Sequence, residues 1–457
     1  MALGPVLTPL AGLVGGYIVL HLLARGTPPA HIRILDLRPP ERNDMKTGPA
    51  TKVEFVRVDI RSPASVKAAF EKSWPVDAAK LPLTVFHTAA VILSSDRSQY
   101  LYPFPYSVNV KGTENVLAAA KQAGADVFSA TSSASISIRH VNPWVAPWAR
   151  EPENCLQIQD EKDFDRPIQQ PQEFYSMYAR SKATAERAVC AANSDQFRTG
   201  TIRPANGVYG NPTDNAVGGR FDKEVLPTLV SSNPQCLERD SSLLTLLLGR
   251  WLPHIITNLV QGGNVALAHL QHEAVLLSAP SISELPQSGR PFVVTDPNPP
   301  QLFEDIYLAI RVLNVLPWRA QYLQPVFMLL LSYLVEWFIL LPHWFPWLAG
   351  KLPEVTGDLR SLQPAIFSIC THLVAHDGEA RKAVKDGGLG YEGAVTTMQG
   401  VVAEILEWNR ENAGSDANEK DSSGSRLVSE VKRRVYKTSA MLSEELRLAV
   451  AKGDGGS

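Results

Sequence analysis

The chain has 457 residues, long enough for two or three structural units, and at 45% hydrophobic it can bury a sizeable core. A formal net charge of −2 offers no field for nucleic acid, which excludes that class of partner. The four cysteines, Cys155, Cys190, Cys236 and Cys370, lie far apart with no CxxC or His/Cys pairing. That argues against a metal centre or a disulfide framework and suits a reducing compartment.

From Ala2 to Ala24 there is no Lys, Arg, Asp or Glu, as in a signal anchor. The stretch has no positive charge ahead of it, however, and Pro5, Pro9 and four glycines interrupt it. It therefore predicts a buried strand, a glycine turn and a buried helix ending at Arg25-Gly26. Short strands ending in acid follow at Ile32 to Asp36 and Val53 to Asp59. Further strands are expected at Leu83 to His87 and Val127 to Thr131, with helical patterns at Ala64 to Trp74 and Asn109 to Ala123. This alternation predicts an α/β fold with a doubly wound parallel sheet, in which ligands bind at strand carboxyl ends. Asp36, Asp59, the His87-Thr-Ala-Ala90 turn and Ser133 all fall at such ends.

After Arg203-Pro-Ala-Asn-Gly-Val-Tyr-Gly210 the pattern becomes less regular, with one more strand expected at Phe292 to Thr295 and a helix over 303 to 313. Pro325 to Ala349 carries a single charge, Glu336, and crowds Trp337, Trp344 and Trp347 into its later half. Its length suits a bilayer span of roughly 20 residues. Pro342 and Pro346 interrupt it, and the aromatics suit a headgroup interface, so the expectation is a segment lying in one leaflet; a buried core helix is the alternative. Residues 413 to 424 read as a polar linker and 427 to 446 as an amphipathic tail helix. The division drawn is 1–210 for a nucleotide-binding unit, 211–412 for a substrate region and 413–457 for linker and tail.

Chemistry centres on Tyr178-Ala-Arg-Ser-Lys182. Residues at i and i+4 stack on one helix face, and an ammonium there can hold a phenol in its ionised form. Such a pair suits proton removal from an alcohol during hydride transfer, although isolated YxxxK matches are common surface pairs. Asp36 stands where a carboxylate can accept hydrogen bonds from an adenosine ribose and repel a 2′-phosphate, which favours NAD; Arg33 and Arg38 lie close enough to blur that preference. Ser133 follows a strand and can meet a substrate oxygen beside Tyr178, or belong to an ordinary serine-rich loop. Asn109 is either a helix cap or a support for Lys182.

Thr8 to Gly15, T-P-L-A-G-L-V-G, resembles the TGxxGxxG turn of extended short-chain dehydrogenases, with Pro9 where the first glycine would stand. The ordered set TxxxGLVGGYIV, LDLR, VDIRS, HTAA, SVNVKGTENVL, TSSAS, YARSK, RPANGVYG and Gly263-Asn-Val-Ala-Leu-Ala-His269 closely resembles the 3β-hydroxysteroid dehydrogenase/isomerase branch, including sterol-4α-carboxylate 3-dehydrogenases. The resemblance runs from about residue 8 to Asn409 and is strongest between 83 and 210. It implies a Rossmann-type fold, NAD as cofactor, and a catalytic set of Ser133, Tyr178 and Lys182. Gly12 would approach the pyrophosphate and Gly15 would let the first helix pack close. Asp59 and Ile60 would flank the adenine; Ala89, Asn109, Lys182 and Pro204 would line the rest of the cofactor. It further implies a hydrophobic sterol or terpenoid substrate, a membrane surface at 325–349, residence on the cytoplasmic face of the endoplasmic reticulum or otherwise in the cytoplasm, and it admits a homodimer. Pro9 and the unusually apolar Leu243 to Asn258 depart from the pattern. They leave room for a catalytically impaired binding protein, or for a reductase or epimerase of the same fold.

Overall fold

The computed structural model describes residues 6–9, 12–144, 151–212, 244–249, 251–313 and 318–412. Its centre is a seven-stranded parallel sheet. In chain order the first strands are β1 (Val6–Pro9), β2 (Ile32–Asp36), β3 (Glu54–Arg57), β4 (Thr84–His87) and β5 (Val127–Thr131). An outlying β6 (Leu156–Gln159) precedes β7 (Arg198–Pro204). Across the sheet the order is Pro291–Val294, β7, β5, β4, β1, β2, β3. The direction of winding therefore reverses between β1 and β4, and a crevice opens at their carboxyl ends.

Helices cover both faces. On one face α1 (Leu13–Ala24) buries Ile18, Val19 and Leu22 against Phe86 of β4 and residues 266 and 270. On the other, α2 (Pro63–Phe70) packs near a continuous stretch in which one-turn α3 (Pro103–Pro105) passes through a π-helical Tyr106–Gly112 into α4 (Thr113–Gln122). Beside it lies α5 (Met177–Ala191), started by Ser176, whose hydroxyl accepts the Ala179 N–H. The α1 face is completed by α6 (Gly262–Leu276). Since α6 and the strand Pro291–Val294 both belong to this layered unit, the boundary drawn at residue 210 is not the edge of the sheet.

The anionless first 24 residues do form strand and helix, with β1 central because both its neighbours are parallel strands. Both β2 and β5 have the expected bounds. The strand expected to reach Asp59 stops at Arg57, because Asp59 turns the chain: its Oδ1 accepts the Arg61 N–H at 2.9 Å.

Beyond the sheet, β6 joins His372–Ala375, Ile256–Thr257 and Gln301–Leu302 in a four-stranded sheet. A second core forms where α7 (Phe303–Leu313), α8 (Pro325–Trp344) and the helix Thr397–Asn412 meet, around Ile306, Ile310, Met328, Leu329, Phe367 and Ile405. Pro342 does not break α8; it sits in the last turn, where one missing backbone donor costs little, and the helix ends ahead of Pro346. Within the apolar 243–258 region, Leu244–Gly249 is a strand pairing in parallel with Trp318–Leu323. The expected linker and tail helix beyond 412 lie outside the described residues.

Candidate active site

The N-terminus of α1 faces the crevice. Its cap, Gly12, is extended and, being glycine, supplies no side-chain hydrogen bond to the first turn. An uncapped helix start of this kind suits a diphosphate. Pro9 is not in the turn but in β1, in register with Leu35. Its fixed φ is compatible with a strand end. Gly15 is buried in α1, and a Cβ on the next residue, Gly16, would lie 2.9 Å from Nη1 of Arg42.

Asp36 ends β2, one strand over, and its Oδ1 accepts the Arg38 N–H at 3.2 Å. Arg33 points elsewhere. It is buried, its Nε donates to Glu54 at 2.6 Å, and its guanidinium stacks over Trp74 and donates to the carbonyls of Lys72 and Ser73. The concern that Arg33 blurs cofactor choice is thereby removed. Past β3, Asp59 is held by a bidentate contact with Arg61, whose hydrogen bonds keep its carboxyl below the usual range. Ile60 is buried against Gly112 and offers its carbonyl to Asn115. Ala89 is buried just beyond β4, and Pro204 ends β7 opposite Val294.

Asn109, buried in the π-helical turn, does not reach Lys182. Its amide clamps Val91 by two hydrogen bonds, 2.8 and 2.9 Å, and donates to the Ser181 hydroxyl at 2.9 Å. It thus ties the loop after β4 to the helix carrying the YxxxK pair.

On α5, Tyr178 and Lys182 share one buried face at the end of β5. Burial pushes the Tyr178 phenol well above its ordinary range; the neighbouring Ser133 hydroxyl partly offsets this, and Tyr175 adds to it. Ser133 itself caps a short 3-10 turn, sharing a 2.7 Å contact with the Ser135 hydroxyl. Lys182 donates from Nζ to the Thr131 carbonyl at 2.5 Å, and burial lowers it to about 8. The sequence reading has the ammonium holding the phenol ionised. In this state the amine is instead turned to a carbonyl and is itself half-disposed to lose its charge, so burial dominates at Tyr178.

The structure gives His87 of the strand-end turn a setting and adds two features that escaped the sequence. His87, at the end of β4, is buried and neutral, lowered to about 3 by burial, with Nε2 on Thr113. Glu186, one further helical turn past Lys182, is fully buried in a fork with Arg203 at 2.6 and 2.8 Å. The spacing Tyr178, Lys182, Glu186 was the available signal for it. Finally, Asp96 and Arg97 reach to the distant substrate region: Asp96 is gripped by both amines of Arg360 at 2.5 and 2.7 Å, and Arg97 forks onto Glu336 of α8 at 2.7 Å. The Asp96 carbonyl also accepts the Met177 N–H at 2.7 Å, immediately before Tyr178. A larger cleft of about 410 Å³ lies by Pro297–Pro300 and Arg381, and contains none of these residues.

Residues 6–316 match the model of the 3-beta hydroxysteroid dehydrogenase/isomerase family. The chain belongs to that family. It is 27% identical over 409 residues to a Candida albicans sterol-4-alpha-carboxylate 3-dehydrogenase, decarboxylating, covering 87% of this chain and 96% of that protein. It is also 27% identical to the mouse short-chain dehydrogenase/reductase family 42E member 1, over 86% of this chain and 85% of the relative. A Mycobacterium tuberculosis 3 beta-hydroxysteroid dehydrogenase/Delta 5-->4-isomerase is 30% identical over 64% of the chain and 65% of its own length. Among solved structures, MoeE5 in complex with UDP-glucuronic acid and NAD superposes with a TM-score of 0.54 at 16% identity, over 89% of this chain and all of that one. A Thermotoga maritima UDP-glucose 4-epimerase gives 0.53 at 15%, over 90% and 99%. These likenesses show the extended Rossmann fold. The family member is an NAD-dependent short-chain dehydrogenase acting on a CH–OH group, of the hydroxysteroid and sterol type.

Proposed function

We propose that this dehydrogenase oxidises a 3β-type secondary alcohol on a sterol or terpenoid to the ketone. The observation that carries the reading is the convergence of Ser133, Tyr178 and Lys182 at the end of β5, one loop away from an apolar helix with an exposed face. Tyr178 accepts the hydroxyl proton, Ser133 steadies the substrate oxygen, and Lys182 turns from the Thr131 carbonyl to support the phenolate and the nicotinamide ribose. When bound, NAD supplies the hydride acceptor. The uncapped α1 start by Gly12 holds its diphosphate, Asp36 its adenosine ribose, and Asp59 and Ile60 flank the adenine. Ala89 and Pro204 border the nicotinamide half, while Asn109 keeps the loop after β4 in place. Where the substrate bears a 4-carboxylate, the new 3-ketone lets it leave as carbon dioxide without a further residue.

The substrate class and the membrane reading share one support. On α8, Phe327, Leu330, Leu334 and Trp337 are each about half exposed or more and recur at spacings of three and four, forming one apolar stripe about 15 Å long on a helix of about 30 Å. The opposite side buries Met328, Leu329, Val335 and Leu340 on protein, and the single charge, Glu336, is neutralised by Arg97. Trp344 and Trp347 are also exposed. A helix with one side on protein and one apolar side outward suits the surface of a single leaflet, here the cytoplasmic face of the endoplasmic reticulum, from which an apolar substrate can enter.

Incubation with NAD and a panel of 3β-hydroxy sterols, 4-carboxysterols and cyclic terpenoid alcohols, followed by mass spectrometry, tests the reading. A ketone, or a ketone lighter by carbon dioxide, is expected from one class. NAD binding with no product across the panel would overturn it.

A further inference from the structure

We propose that Glu186, locked in place by Arg203, is a positioning residue that supplies the fixed negative charge holding Lys182 in its ammonium form. The inference rests on the dehydrogenase reading of the site and adds a residue to it.

The geometry is a column of alternating charge running inward from the candidate proton acceptor. Tyr178, Lys182 and Glu186 occupy i, i+4 and i+8 of α5, hence one face of the helix. All three are buried. Arg203 of β7 then forks onto both oxygens of Glu186, from Nε at 2.8 Å and from Nη2 at 2.6 Å, and Thr201 adds its hydroxyl at 3.2 Å. The column ends at Asp163, which meets Nη1 of Arg203 at 2.6 Å. Glu186 cannot swing away, because every oxygen it has is taken from behind.

Lys182 and Glu186 do not touch. A cavity of about 10 Å³, roughly one water in size, is lined by both side chains together with His87, Thr113, Ser132 and Thr201. Burial alone would strip Lys182 of its proton, and Glu186 is the charge that opposes this. The other groups facing the amine leave it no alternative. His87 of β4 and His269 of α6 are both neutral, held near 3 chiefly by burial. Arg203 is cationic and already paired, and burial raises the Tyr178 phenol above its ordinary range, so only its ionised form would add a second negative charge beside the amine. Removing the Glu186 charge should therefore lower the share of ammonium at Lys182, and with it the support for the Tyr178 phenolate that accepts the alcohol proton.

The test reads Lys182 directly. In the full-length protein, the rate at which acetic anhydride labels Lys182 is followed against pH by peptide mass spectrometry. The wild-type midpoint is expected at about 8. In Glu186→Gln it should fall by about one pH unit, and kcat/KM for alcohol oxidation should fall about tenfold, while Glu186→Asp should restore most of both. Because Glu186→Gln leaves Arg203 buried and unpaired, a second variant, Glu186→Gln with Arg203→Met, serves when the first does not fold. Its midpoint should still lie below the wild-type one. An unchanged Lys182 midpoint in either folded variant overturns the proposal. A shifted midpoint in a protein that oxidises no alcohol would instead overturn the reading of the reaction and leave the electrostatic role standing.

Discussion

Two helices of this protein present opposite solutions to burial. Helix α5 is polar in sequence and buried in place, carrying Tyr178, Lys182 and Glu186 into the interior. Helix α8 is apolar in sequence and leaves Phe327, Leu330, Leu334 and Trp337 outside. In each case the side chains oppose what transfer from water would favour. The cost in α5 is offset by pairing, through Arg203, Asp163 and the Thr131 carbonyl. The cost in α8 has no offset among the described residues. That difference separates a face with internal partners from one for which a membrane is proposed, and it can be probed from both ends.

The largest effect is expected on α5. Tyr178→Phe keeps the ring packing and removes the proton acceptor, so turnover should fall by at least ~10²-fold, with NADH quenching of tryptophan fluorescence little changed. Near-normal turnover would remove Tyr178 and direct attention to Tyr175, one turn earlier. Next comes the ion pair that α8 makes with the loop after β4. Arg97→Ala strands the buried Glu336, and urea unfolding should show a loss of about 3 kcal/mol. A loss comparable to an exposed pair would mean that α8 is not bound to the body through that contact.

A smaller effect of opposite sign is expected from Lys182→Met. Its folded pKa of about 8 lies below the 10.5 of an ordinary lysine, so the folded state binds fewer protons between those values. Stability then rises with pH across that window, and below about 8 the buried ammonium carries its full cost. The Met variant should be more stable than wild type at pH 7 by about 2 kcal/mol, and the advantage should shrink as pH rises from 8 to 10.5. Parallel stability curves would show that the amine is better solvated than its position implies. The smallest change in stability, within about 0.5 kcal/mol, is expected from replacing Phe327, Leu330, Leu334 and Trp337 together by serine. Vesicle flotation should nonetheless show that variant released from membranes. If it floats as before, the stripe is not the docking face.

How much of this was legible in the sequence follows from how local each cause is. The strands β2 and β5 were readable because hydrophobic runs and turn residues act within a few positions, and the Tyr178–Lys182 pair because helical spacing does too. The joining of the strand Pro291–Val294 to β7, about ninety residues away, was not, since nothing in a strand names its neighbour. Arg33 was misjudged for the same reason: adjacent to Asp36 in sequence, it crosses to Glu54 and Trp74 in space. Asn109 was expected as a cap or beside Lys182, but its π-helical turn directs the amide to Val91 and Ser181. For Glu186 the pattern was present, but its meaning depended on an arginine from another strand.

The adjacent pair Asp96-Arg97 has a consequence for how the molecule comes apart. One dipeptide holds Arg360 by the first residue, Glu336 by the second, and the first amide of the Tyr178 turn by its carbonyl. Among its other contacts, the C-terminal half thus shares one anchoring dipeptide with the start of α5. Opening that anchor loosens both at once, so amide hydrogens at 177–180 and along the inner side of α8 should exchange as one cooperative unit, at a common rate, ahead of the central sheet.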